Sequence, residues 1–214
     1  MTAEVPNRLP DRAFLIAYDV EKHKLTGGDS HGQLIRAAAL VELTLAGRLV
    51  DENGKPRDTG QRTDDPILDA ILNQIASSKA RSWKYWVEKD AKVTYQAVRE
   101  RLATSRVISV TDGKVMGIFP KKVVHVRDTR VVRQLVTDMR RVVLSGVPSD
   151  QLDPLAVALV PLVSAVELNT VFSGRERREH RERIRRLAER AGPASKALRK
   201  VVENQQAVSA GGAG

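Results

Sequence analysis

Three arginines are the residues of this sequence best suited to chemistry, and that chemistry is the binding of phosphate. Arg36 lies early in the run LIRAAALVELTLAGRLV, while Arg99 and Arg101 lie in the run VRERL. A guanidinium presents a planar set of N–H donors that matches the oxygens of a phosphate. The run around Arg36 is apolar on nearly every side, so a charge there must be paired, lie near a surface or bind an anion. The three arginines therefore mark a candidate polyanion site.

Each arginine also has a simpler interpretation. Arg36 and Glu42 share one helix, but six residues at about 100° each place them about 120° apart, so an ion pair with Arg36 needs another acidic partner. Arg99 and Arg101 flank Glu100 and would suit a solvated charged face. Three further cations on the second predicted hairpin are less specific: Lys114, Lys121 and Lys122.

No combination of residues predicts catalysis or a metal site. The sequence contains no G-x-S-x-G elbow, no Walker glycine loop and no H-E-x-x-H. It contains no cysteine, which excludes disulfides, thiolate metal sites and cysteine nucleophiles. The histidines are scattered and are predicted to be surface or solvated residues: His23, His31, His125 and His180. We therefore expect a protein that is not an enzyme and that has no metal or other cofactor.

Composition narrows the class of partner. The chain has 214 residues, of which 42 % are hydrophobic, and this is enough to bury a core. A net charge of +10 favours a polyanion, either nucleic acid or an anionic membrane surface. The N-terminus has no apolar signal core, and no run reaches membrane-spanning length. Together with the lack of cysteine, these features predict a cytoplasmic protein.

The patterning predicts a mainly α fold, in which a single helical-bundle domain surrounds a buried central helix and carries two short β-hairpins. The central helix is the run that contains Arg36, and a hairpin turning at Asn53-Gly54 follows it. A second hairpin is expected around Asp112-Gly113. Five further helices are predicted by their ranges: 9–18, 94–104, 128–144, 175–190 and 194–202. Three more are predicted to begin at Asp65-Pro66, to begin at Asp153-Pro154 and to lie around Trp83 and Trp86. Residues 19–33 are predicted to form a polar loop. The predicted divisions are a flexible arm at 1–8, the domain at 9–204 and a disordered tail at 205–214.

Three stretches resemble the Golgi phosphoprotein 3 family, whose members are peripheral membrane proteins that bind phosphatidylinositol 4-phosphate. They are LIRAAALVELTLAGRLV, then DPILDAIL followed by VRERLATSRVISV, and LAVALVPLVSAVELNTVF. The resemblance implies a single, mostly helical domain with a basic lipid pocket. The short N-terminal arm and the Ala/Arg/Val-rich composition suggest a bacterial member.

The resemblance also implies site residues. Arg36 and Arg99 match basic residues of the family's pocket, Gln96 stands where the family has another arginine, and Arg101 lies beside them. No aromatic residue between Tyr18 and Arg36 matches the pocket's tryptophan. The implied ligand is an anionic, phosphoinositide-like phospholipid head group, with Arg36 and Arg99 on phosphate and Gln96 on a hydroxyl. The implied protein acts at the cytoplasmic face of a membrane as an adaptor, with protein clients and homo-oligomers as further partners.

Two other functions stay open from the sequence. The segment VRERLATSRVISVTDGKV, a helix followed by a basic hairpin, resembles a winged helix and would suit a nucleic-acid-binding protein. It lacks an exposed row of Arg, Asn and Gln residues suited to base edges. The third function is a scaffold whose arginine-rich helix, 175–190, binds an acidic partner.

Overall fold

The fold is mainly α in the computed structural model, which describes residues 4–28, 30–115 and 119–211. In chain order the described elements are α1 Leu9–Ile16, β1 Tyr18–Asp19, β2 Lys24–Leu25, α2 Ser30–Leu45, β3 Leu49–Glu52, β4 Lys55–Asp58, α3 Pro66–Ala76, α4 Trp83–Glu88, α5 Ala91–Thr104, β5 Ile108–Val115, β6 Phe119–Val126, α6 Thr129–Leu144, α7 Pro154–Ala165, α8 Gly174–Glu179, α9 Arg181–Arg190 and α10 Pro193–Gly211. The strands form three separate antiparallel pairs, β1–β2, β3–β4 and β5–β6. The predicted fold class is confirmed.

Helix α2 is the centre of the core. Its apolar side chains, from Leu34 to Leu43, are fully buried, and α1, α4, α5, α7 and α10 all pack against it. Alanines at 37–39 keep its surface narrow, so neighbouring helices can approach closely. Glu42 has a partner outside the helix: it accepts from the Leu9 backbone N–H at 2.7 Å and from the Arg8 guanidinium at 3.1 Å. The prediction of a buried central helix is confirmed.

A cluster of charges joins α1, α3 and α5. Asp65 caps α3 through the backbone N–H groups of Ile67 and Leu68, with Pro66 at the first helical position. The second carboxylate oxygen of Asp65 accepts from Arg101 at 2.6 Å, and Arg101 also reaches Asp11 at 2.5 Å. The cluster therefore fixes the start of α3 against the other two helices.

The hairpins agree only in part with the sequence patterns. Asn53 and Gly54 adopt φ of 54° and 77° between β3 and β4, which confirms the first predicted turn. Asp112 and Gly113 instead pair with Lys122 and Lys121 inside the β5–β6 ladder, so the second predicted turn is wrong. The connecting residues 116–118 lie outside the described residues. The segment predicted as a polar loop contains β2 and the first turn of α2.

The C-terminal third also differs from the sequence prediction. The helix expected at 175–190 is two helices, α8 and α9, which meet at His180. Helix α8 starts with a capping box, because Ser173 and Glu176 bond each other's backbone N–H. Helix α10 extends to Gly211, seven residues into the segment predicted to be disordered, and Ser30 donates to Gln205 at 3.2 Å. Residues 205–210 contain neither glycine nor proline, which explains the continuation; 212–214 lie outside the described residues.

Candidate anion-binding site

A cleft of about 1000 Å³ opens where the first turns of α2 and α5 meet β2 and β6. It is lined by Lys24, Leu25, Thr26, Gly28, His31, Gly32, Gln33, Glu88, Ala91, Lys92, Tyr95, Lys122, Val123 and Val124. We call it the basic cleft. Its volume falls in the range usual for small-molecule and head-group sites.

The two helix ends can meet at the cleft because position 32 is glycine. A Cβ added to Gly32 would lie 3.2 Å from the Ala91 carbonyl oxygen, closer than most real contacts of a Cβ. The close approach brings the N-terminal turns of both helices to one wall. The N-terminus of a long helix such as α2 carries partial positive charge, so this wall favours an anion.

The cleft walls are also basic. Lys24, Lys92 and Lys122 line the cleft with one carboxylate, that of Glu88. Lys122 is paired with Asp112 at 2.6 Å. Within the described part of the chain, Lys24 and Lys92 form no ion pair and are exposed. Two lysines are therefore available to a bound anion.

His31 is a buried, neutral group in the cleft wall. It is 6 % exposed and packs against Phe14 and Tyr95, with ring centroids 5.4 and 5.2 Å away. Burial lowers the pKa of His31 from 6.5 to about 4, so the imidazole is uncharged at neutral pH. Its Nε2 atom is buried without a hydrogen-bond partner among the described residues. The prediction that His31 is solvated is wrong, because the aromatic side chains of α1 and α5 enclose it.

Helix α5 presents a polar stripe that starts in the cleft. Lys92, Tyr95, Gln96 and Arg99 recur at three- and four-residue spacing, so they share one face over about 10 Å of helix. The Arg99 guanidinium lies over the Tyr95 ring, 5.8 Å from its centroid. Burial raises the pKa of Tyr95 above 10, which keeps its hydroxyl a neutral donor. The structure thus places two predicted site residues, Gln96 and Arg99, on the helix face that lines the cleft.

Arg36 lies beneath the cleft and does not line it. Its side chain is 1 % exposed and donates to the Trp86 carbonyl at 3.1 Å, to Thr94 Oγ1 at 3.1 Å and to Gln74 Oε1 at 2.8 Å. Gln74 in turn donates to Asp90 at 3.2 Å. Burial lowers the pKa of Arg36 from its ordinary value to about 10, opposed by the charge of Asp90, so the guanidinium stays protonated. Direct contact between Arg36 and phosphate stays a prediction, and it would require these hydrogen bonds to break.

Arg101 is separated from the cleft by the body of α5. Nine positions from Lys92 place it about 180° around the helix. Its guanidinium already bonds two buried carboxylates, those of Asp11 and Asp65. The expectation that Arg101 lies beside a head group therefore receives no support from its position, which is that of a structural ion pair.

Sequence reasoning missed several cleft residues. The spacing of Lys92, Tyr95, Gln96 and Arg99 was readable as one helix face, and it would have indicated Lys92 and Tyr95. Lys24 and His31 lie in the segment interpreted as a loop, and no local pattern connects them with α5. Their proximity depends on tertiary packing.

In the described ranges, no three His, Cys, Asp or Glu side chains come together as a metal site. In the same ranges, no helix combines the length and the apolar character that a bilayer crossing requires.

Comparison with known proteins identifies the family. No curated protein matches the chain. The model of the Golgi phosphoprotein 3 (GPP34) family matches residues 9–205, well over half of the sequence. The bacterial origin expected from composition stays a prediction. The chain belongs to the Golgi phosphoprotein 3 family.

Proposed function

We propose that this protein is a non-enzymatic peripheral membrane protein that binds an anionic, phosphoinositide-like phospholipid head group in the basic cleft. The observation that carries the proposal is the cleft itself, where Lys24 and Lys92 lie beside two helix N-termini. Membership of the Golgi phosphoprotein 3 family is consistent with a lipid-binding adaptor. Location at the cytoplasmic face of a membrane, protein clients and self-association belong to the same proposal.

The chemistry of the cleft suits a phosphorylated polyol better than a simple phosphate ester. Lys24 and Lys92 supply the charge that a phosphate requires. Tyr95 supplies a neutral hydroxyl in the cleft, and Gln96, on the same face of α5, supplies a neutral amide; both suit hydroxyls. The imidazole of His31 is uncharged, so it adds no charge to the cleft wall. A head group with both phosphate and hydroxyl groups uses the two lysines and these neutral groups.

The predicted arginines take different roles in this proposal. Arg99 extends the α5 stripe and contacts the head group or the adjacent lipid phosphates. Arg36 contributes positive charge from beneath the cleft floor, because it lies one turn further along α2 than Gly32. Arg101 holds α1, α3 and α5 together and does not contact the lipid.

The winged-helix alternative is not favoured. The polar face of α5 lines a concave cleft beside β6, whereas a recognition helix must project into the major groove of DNA. A head group fits a concave site of this size, and a duplex does not.

Flotation with phosphatidylcholine vesicles tests the proposal. Three vesicle types are compared at physiological salt: pure phosphatidylcholine, phosphatidylcholine with phosphatidylinositol 4-phosphate, and phosphatidylcholine with phosphatidylserine at equal total charge. Replacing Lys92 and Arg99 together by alanine should weaken binding to the phosphoinositide vesicles about ten-fold or more, since each charge-assisted hydrogen bond contributes roughly 1.5–3 kcal/mol.

The matched control removes two exposed arginines outside the cleft. Arg175 and Arg186 are exposed, and neither lines the cleft. Replacing both by alanine lowers the net charge by the same amount and should reduce binding only slightly, with the reduction lost at higher salt. Equal losses in both double variants, or equal binding of wild-type protein to all three vesicle types, would show that no head-group site exists in the cleft.

A further inference from the structure

A second concave surface lies in the C-terminal part of the fold. Helices α9 and α10 both pack on α7 and leave a groove of about 600 Å³ between them, which α8 closes at one end. We call it the arginine groove. It shares no lining residue with the basic cleft. The proposed lipid site therefore does not account for it.

The rim of the groove is strongly cationic. Seven basic side chains line it: Arg177, Arg178, Arg181 and Arg185 from α8 and α9, and Lys196, Arg199 and Lys200 from α10. The side chains of Arg181 and Arg185 are 78 % and 66 % exposed. Three carboxylates stand among the described lining residues, those of Glu167, Glu189 and Glu203. Glu203 pairs with Arg199 at 2.9 Å, so an excess of cations faces solvent.

The floor of the groove is apolar. Pro161 and Ala165 from α7, Ile184 and Ala188 from α9, and Val202 from α10 form it. Ile184 and Ala188 are four residues apart and half-buried, so they form one side of α9 that faces the groove. An occupant must therefore bring apolar side chains inward and carboxylates outward.

We propose that the arginine groove binds an acidic amphipathic peptide segment of a partner protein. Charge complementarity between the cations of the groove and the carboxylates of such a segment selects it. A short helix with leucines on one side and glutamates on the other fills the floor and pairs with both walls. A planar bilayer cannot reach an apolar floor between two cationic helices, and nucleic acid has no apolar face for that floor. These features favour the peptide over both.

Fluorescence anisotropy with a synthetic peptide tests the proposal. The probe is a labelled peptide of about fifteen residues, long enough for partial helicity, in which leucines recur at three- and four-residue spacing and glutamates occupy the other positions. A peptide of the same composition in scrambled order is compared with it. We expect the full-length protein to bind the amphipathic peptide and to bind the scrambled one about ten-fold more weakly.

Two kinds of variant locate the binding. The charge-reversal pair Arg181→Glu and Arg185→Glu should weaken peptide binding about ten-fold, since two rim charges change from attraction to repulsion. Arg175→Glu with Arg186→Glu makes the same change in net charge on α8 and α9, outside the groove, and should leave binding nearly unchanged. Ala188→Trp leaves the charge unaltered but fills the floor, and it should also weaken binding.

The outcomes separate this site from the lipid site. Loss of peptide binding in the groove variants, with unchanged flotation on phosphoinositide vesicles, supports the proposal. Equal losses in the groove and control pairs would overturn it, because net charge would then explain the binding. Failure of wild-type protein to bind the amphipathic peptide would also overturn it. Loss of vesicle binding in the groove variants, without loss of peptide binding, would identify the groove as a membrane contact instead.

Discussion

Replacing Arg36 by methionine separates the structural role of this residue from its electrostatic role. Methionine fills a similar volume and removes the charge together with all three hydrogen bonds. Two of the acceptors that lose a donor, the Trp86 carbonyl and Thr94 Oγ1, belong to buried residues. Leaving the Trp86 carbonyl unsatisfied costs about 1–3 kcal/mol, whereas Thr94 Oγ1 keeps its own hydrogen bond to the Asp90 carbonyl at 3.1 Å and costs less.

The free-energy cost of losing these hydrogen bonds is partly offset, because the charge of Arg36 is itself unfavourable inside the protein. The fall of the Arg36 pKa from its ordinary value to about 10 corresponds to roughly 3 kcal/mol against the protonated form. Removing the guanidinium recovers that amount, so the net destabilisation should be only about 0–3 kcal/mol. Arg36→Ala lacks the compensating volume and should be less stable than Arg36→Met by about 2–3 kcal/mol, the cost of a buried cavity.

Urea unfolding and vesicle flotation measure the two roles. At roughly 10 Å and an effective dielectric constant of about 20, one charge contributes about 1–2 kcal/mol to a bound phosphate, so folded Arg36→Met should bind phosphoinositide vesicles about ten-fold more weakly. If Arg36→Met lowers the free energy of unfolding by about 5 kcal/mol or more, the guanidinium stabilises the fold, and the buried charge is not unfavourable as argued above. If it binds vesicles like the wild type, Arg36 does not act on the head group.

Three further predictions concern stability. Because the folded-state pKa of His31 is about 4 and its ordinary value is 6.5, its contribution is complete above pH 6.5 and is lost as pH falls toward 4; unfolding by urea should show a decrease of up to about 3 kcal/mol that His31→Gln abolishes. Hydrogen bonds from Arg140 and Ser173 lower the pKa of Glu176 from 4.5 to about 2, so Glu176→Ala should cost about 1 kcal/mol at neutral pH and nothing in thermal melts near pH 2. Arg101→Ala leaves the buried Asp11 carboxylate without its bonds to Arg101 and leaves Asp65 to pair with Arg8 at 3.5 Å, so it should cost about 3–5 kcal/mol, whereas Arg99→Ala should barely change the melting temperature.

The fold could be predicted largely because its signals are local. Asp65-Pro66 starts α3 because Asp65 caps the helix and Pro66 suits its first position, and neither effect depends on distant residues. Asn53-Gly54 adopts the two positive φ angles that its turn requires. The turn predicted at Asp112-Gly113 was wrong because this Asp-Gly pair, although typical of a hairpin turn, lies inside a longer ladder. Cross-strand pairing of Asp112 with Lys122 decided its position, and that pairing depends on residues ten positions away.

The candidate site could be predicted only for residues on one helix. Gln96 and Arg99 lie on the cleft face of α5, where their helical spacing placed them. Arg101 belongs to the opposite face, and only the three-dimensional positions of Asp11 and Asp65 show that its charge is already paired. His31 is neutral because aromatic side chains of α1 and α5 exclude water from it, and no feature of its own segment indicates that environment.

The basic residues behind the net charge of +10 fall into two populations with different roles. The first population stabilises the fold through bonds within the protein. Arg101 bonds two carboxylates, Arg140 bonds Glu176, and Arg183 donates to the carbonyls of Val142 and Val147. These arginines satisfy buried or half-buried acceptors, so their substitution should lower stability and leave partner affinity per folded molecule unchanged.

The other population lies on two separate concave surfaces. Lys24 and Lys92 belong to the basic cleft, whereas Arg181 and Arg185 belong to the arginine groove. The two surfaces share no described lining residue, so a ligand that fills one does not contact the cations of the other. The net charge alone therefore does not identify the class of partner. Lipid affinity should follow substitutions in the cleft and peptide affinity those in the groove, even between variants of identical net charge.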